Sequence, residues 1–69
     1  MDIAEAKEAL RQGKRLTHRY FTDKEWVQGV TKIGTTYYLF EDGCRCSPGM
    51  FWKTRYDGAW DCGWSEVAA

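Results

Sequence analysis

Apolar residues recur at helical spacing over residues 2–12, where Ile3, Ala6 and Leu10 share one face with the stem of Lys7. Asp2 with Glu5 three residues on has capping-box spacing, Arg11 suits the C-terminal dipole, and Gly13 suits the residue that ends the helix. From Lys14 the period changes to two. Leu16, His18 and Tyr20 alternate with Arg15, Thr17 and Arg19, which predicts a first strand over 14–20. Thr22 and Glu25 repeat the capping spacing, but the β-rich segment that follows predicts a turn rather than a helix. Residues 25–31 predict a second strand, with Trp26, Gln28 and Val30 on one face and Val27 and Gly29 on the other. Gly29 inside it marks a bulge or a close backbone approach.

A turn over 32–35 leads to a third strand, 36–41, in which Tyr37 and Leu39 oppose Tyr38 and Phe40. Two apolar faces predict burial on both sides, by the helix on one and by a second subunit on the other. Asp42-Gly43 then predicts a two-residue type I′ hairpin leading into Cys44–Cys46. Ser47 and Pro48 suit the cap and first turn of a short helix reaching Arg55. Tyr56, Asp57 and Gly58 form a loop, residues 60–67 the last strand with a bulge at 61–63, and Ala68 and Ala69 a frayed end. The expected architecture is α+β: an N-terminal helix packed on an antiparallel sheet of four to five strands, with a short helix before the last strand, as one domain over 1–69.

Composition sharpens this. A 69-residue chain buries a modest share of its surface, and its 16% aromatic content is the available packing material. Trp52, Trp60 and Trp64 gather in the last third. A homodimer or homotetramer would supply the missing burial. Ten basic and ten acidic residues balance, which argues against a bulk nucleic-acid or membrane-surface role, although Arg11, Lys14, Arg15, His18 and Arg19 make a local basic run. No apolar run approaches bilayer length and no secretory pattern opens the chain, so a cytoplasmic protein with reduced thiols is expected.

Cys44, Cys46, Cys62 and His18 equal a zinc-site count, but Cys44 and Cys46 on a strand point the same way about 6.5–7 Å apart and lack chelating spacing. No metal or cofactor is expected. One His, no Gly-rich phosphate loop and no nucleophile motif argue against an enzyme. Aromatic and basic residues interleave over 19–26 and 51–56. Flat rings stack on bases and guanidinium or ammonium groups neutralise phosphate; equally, the rings fill a core over which the cations snorkel.

The order of several short motifs resembles the Thoeris anti-defence type 2-like family of small phage and prophage proteins. The opening Ile3, Glu5, Ala6, Ala9, Leu10, Gly13, Lys14 and Leu16 is similar, as is the basic segment Thr17–Phe21 followed by the turn Thr22–Lys24. Asp42-Gly43 and the terminal Asp61, Trp64 and Val67 continue the likeness. Phe21 stands where the family usually has Trp, the Ser47–Trp52 segment differs, and the chain is shorter than is usual. The resemblance implies a helix on an antiparallel sheet, assembled as a dimer or tetramer in the cytoplasm of a bacterial host. It also implies immune evasion, by sequestering a cyclic nucleotide or cyclic ADP-ribose type signal between subunits without catalysis, or by blocking a defence protein such as a CRISPR effector. A small structural phage protein is the remaining alternative. Phe21 is the matched stacking position, with Lys24 in the following turn; Arg19, Trp26, Arg45, Trp52 and Arg55 join them on chemical grounds.

Overall fold

The computed structural model describes residues 1–56 and 58–68; the loop expected at Asp57 and the frayed end at Ala69 lie outside them. Helix α1 spans Ile3–Arg11. Both halves of its capping box form, with Asp2 Oδ1 accepting from Glu5 N–H at 2.8 Å and Glu5 Oε1 accepting from Asp2 N–H at 3.1 Å. Gly13 at φ 85° closes it in a Schellman arrangement, in which Gly13 N–H donates to Leu10 and Lys14 N–H to Ala9. Its buried residues are Ala6, Ala9 and Leu10, two of them small, so the helix settles close to the sheet. Gly29 makes that possible: a Cβ there would overlap the Leu10 carbonyl. The glycine thus marks a close approach.

The sheet contains β1 (Arg15–His18), β2 (Val27–Lys32), β3 (Thr35–Phe40), β4 (Arg45–Cys46) and β5 (Trp64–Val67), in the order β4-β3-β2-β1-β5 with every pair antiparallel. Helix α2 (Pro48–Lys53) and a 3-10 turn (Gly58–Trp60) carry the chain back to the β1 edge. Ser47 caps α2, its Oγ accepting from Met50 N–H. The fold is therefore α+β with an N-terminal helix, a five-stranded antiparallel sheet and a short helix before the last strand.

Three local expectations change. Asp42-Gly43 is not a type I′ turn. Phe40 pairs with Cys44 across a three-residue loop; Gly43 at φ 88° donates to Phe40 O, and Asp42 Oδ1 accepts from Cys44 N–H. The two-residue turn with positive φ at both positions is Ile33-Gly34, between the paired Lys32 and Thr35. Tyr20 leaves the β1 face because the strand ends at His18, and it is 62% exposed. The last strand starts at Trp64 rather than Trp60, because Trp60 turns in the 3-10 segment and its carbonyl accepts from Trp64 Nε1–H at 2.9 Å.

Opposed residues of an antiparallel pair face the same side, so the register sorts every strand side chain. Leu16, Val27, Tyr38, Phe40 and Trp64 face the helices and join Leu10 and Phe51 in the core. Arg15, Gln28, Val30, Tyr37, Leu39 and Val67 face the other way, half-buried, with no helix over them among the described residues.

Candidate functional site

Helices α1 and α2 leave a groove of about 380 Å³, within the size range of small-ligand sites. Lys7 and Arg11, one helical turn apart, line the α1 wall; Pro48 and Gly49 line the α2 wall; Thr36, Tyr38 and Trp52 complete it. The indole is fixed by its Nε1–H, which donates to the Tyr38 hydroxyl at 2.9 Å. Burial pushes the Tyr38 phenol up from its ordinary value, with the Trp52 hydrogen bond opposing in part. Lys7 Nζ stands 5.3 Å from the centre of the Trp52 ring, and no carboxylate pairs with it among the described residues. Arg11 is held by Glu8 through two bonds of 2.7 and 2.9 Å. The groove thus offers an aromatic face, an unneutralised ammonium and a guanidinium at its end.

A second cleft, of about 350 Å³, lies where β1 and β5 meet the loop after β1, and Arg19, Phe21, Asp23, Gly63 and Ser65 line it. Phe21 is held in place: its ring is 5.9 Å from Trp64 and 6.1 Å from both His18 and Trp60. Arg19 lies along Gly63 and reaches Cys62 Sγ at 3.6 Å. His18 forms the buried wall. Its Nε2–H donates to Cys62 O at 2.8 Å and its Nδ1 accepts from Tyr20 N–H at 3.1 Å, an assignment set by the two partners. Desolvation holds the imidazole below its ordinary pKa against the pull of the Cys62 carbonyl, and Arg19 and Arg55 add to the lowering. His18 is a neutral structural group with both nitrogens engaged.

The seven residues singled out in the sequence do not converge. Arg19 and Phe21 share the second cleft, and Lys24 is exposed in the turn beyond it. Trp26 lies on the open sheet face beneath Arg15, whose guanidinium carbon is 3.8 Å from the ring centre. Arg45 stands over Tyr37 at 5.1 Å, on the opposite edge strand. Trp52 belongs to the α1/α2 groove. Arg55 turns inward over Phe51 at 4.3 Å and Trp60 at 5.3 Å, donates to Phe51 O, and buries an unpartnered Nε. Lys7 and Tyr38, the partners of Trp52, and Arg15, the partner of Trp26, were missed. The signal for Arg15 was its alternation with Leu16; for Lys7 it was the stem placed on the apolar face of α1.

Cys44, Cys46 and Cys62 are free thiols. Asp42 holds the Cys44 thiol above its ordinary value and burial does the same for Cys46, so neither is poised as a thiolate. Among the described residues no three His, Cys, Asp or Glu side chains gather as metal ligands. No helix among them is long and apolar enough to cross a membrane. The fold and its clefts define a small α+β protein with a groove between its helices and a second cleft beside β1 and β5. Comparison with known proteins gives no matching family model, no matching curated protein and no matching solved structure.

Proposed function

We propose that this chain is a non-catalytic binding protein for a nucleotide-derived ligand, seated in the α1/α2 groove. The carrying observation is the meeting of the Trp52 ring, fixed by Tyr38, with the unpaired Lys7 ammonium in one cavity of about 380 Å³. A base stacks on the indole, and phosphate takes Lys7 and the outer edge of Arg11. The groove is open along its length, and a second copy would close it. The resemblance to the anti-defence family supplies a setting: sequestration of a cyclic nucleotide or cyclic ADP-ribose type signal in a bacterial host. A sponge needs only affinity and slow release, which agrees with a site made of a ring and cations.

Thermal denaturation with cyclic dinucleotides, cyclic ADP-ribose and ADP-ribose tests this. A bound ligand at about a hundred times its Kd adds about 2.7 kcal/mol, a shift of roughly 10–20 °C. Lys7→Glu is expected to abolish the shift while lowering the ligand-free melting temperature by a few degrees at most, because Lys7 is exposed and loses only its contact with Trp52. No shift with any of these compounds at millimolar concentration, or a full shift retained in the variant, ends the reading.

A further inference from the structure

We infer that the open face of the sheet is a docking surface for single-stranded nucleic acid. The chain is neutral overall, yet folding separates its charges. The outward positions of the five strands carry the cations Arg15, Lys32 and Arg45 and no carboxylate. The one acidic residue within a strand, Glu66, is opposed to Leu16 on the helix side and pairs with Lys14 at 3.4 Å. Arg15, Lys32 and Arg45 have no ion-pair partner among the described residues.

Two of these cations lie on rings. Arg15 stacks on Trp26 at 3.8 Å, and Arg45 stands over Tyr37 at 5.1 Å. Arg15 sits on β1 and Arg45 on β4, three strand spacings apart, or about 14 Å. Gln28 and Leu39 lie between them in one cross-strand row, with Val30 beside it as an apolar floor. Gln28 Oε1 accepts from Arg15 Nη2 at 3.2 Å and helps hold the guanidinium over the indole. The face therefore presents two cation-and-ring pairs joined by an uncharged strip of Gln28, Leu39 and Val30.

The occupant follows from that chemistry. A base stacks on a guanidinium plane or on a ring, and its phosphates meet Arg15, Lys32 and Arg45. Duplex DNA hides its π-faces in the stack, so the rings of this face have nothing to stack on there. A second copy laid face to face would set these cations against their own kind with no carboxylate to offset them.

Fluorescence anisotropy with a labelled single strand of about fifteen nucleotides, as DNA and as RNA, provides the test. The expected Kd is of micromolar order at about 50 mM salt, and three phosphate contacts predict a log–log salt slope of about −2, roughly sixteenfold weaker binding at 200 mM. Lys32→Glu with Arg45→Glu, both exposed, is expected to cost tenfold or more with an unchanged melting curve. Tyr37→Leu should weaken binding several-fold, whereas Lys7→Glu, in the α1/α2 groove, should not weaken it, so this proposal and the groove ligand stand or fall separately. Four results would overturn the inference: no binding at about 100 μM in low salt; duplex or heparin binding as tight as the single strand; indifference to Tyr37→Leu and to the double charge reversal; or a dimer in sedimentation that the charge reversal dissociates while single strands bind neither form.

Discussion

At the scale of single residues the fold depends on a few atoms with no slack. Gly29 faces the Leu10 carbonyl with no room for a Cβ, so Gly29→Ala must push α1 off β2 and expose Leu10 and Ala6. A loss of about 3 kcal/mol is expected in urea denaturation. Ile33 is the opposite case. It is the only described residue other than glycine at positive φ, 49°, and its side chain lies wholly in solvent, so it contributes strain and no packing. Ile33→Asn suits the type I′ turn and should raise stability by about 1 kcal/mol, a gain of roughly 4–8 °C in Tm. His18 links stability to pH. Its folded pKa is depressed, so the unfolded chain binds the extra proton; stability is complete above the ordinary value of about 6.5 and falls as pH drops through the window below it. Protonation of Nδ1 also breaks the bond from Tyr20 N–H. Melting temperature should stay level above that pH and decline below it. His18→Gln, which has no such proton to gain, should show a flatter decline.

At the scale of elements, what could be read from the sequence was whatever a residue decides with its neighbours along the chain. The capping box of Asp2 and Glu5, the Gly13 ending and the Ser47-Pro48 start of α2 are all contacts within a few residues, and all form as their spacing implies. Asp2→Ala should therefore cost about 1 kcal/mol, measurable by thermal melting. Hairpin type escaped because register, not turn composition, decides loop length. Lys32 opposite Thr35 leaves two residues and forces Ile33 to positive φ, while Phe40 opposite Cys44 leaves three and spares Asp42. Alternation placed Arg15 and Arg19 on one face of β1 and Trp26 with Gln28 on one face of β2, but it is silent on strand order. The order β4-β3-β2-β1-β5 sends Arg45 to the opposite edge from Arg19, and the helical layer takes Trp52 and Arg55 to the other side of the sheet. A shared site for the seven residues needed that long-range information.

At the scale of the whole molecule, one layer of helix on one sheet gathers the aromatic rings of that side, among the described residues, into a cluster with Trp64 at its centre. Trp64 is 2% exposed, touches the rings of Phe21, Phe51, Trp52 and Trp60, opposes His18 in the sheet and receives the Met1 amino group on its carbonyl. It ties the returning edge strand to α2 and to the N-terminal residue that precedes α1. A core in so short a chain supplies about 3–5 kcal/mol in all, and a buried Trp→Ala change removes about 3–5 kcal/mol. Trp64→Ala is therefore expected to be largely unfolded at 25 °C, with near-UV dichroism and amide dispersion lost. Trp26 has the same side chain on the open face, half-buried beneath Arg15 and outside that cluster. Its replacement by alanine removes one stacked pair and opens no cavity in the core, so Trp26→Ala should stay folded with a loss of about 1–2 kcal/mol. Comparable losses at the two positions would mean that the uncovered face contributes as much as the helical one, and that the sheet, not the layer packed on it, holds the molecule together.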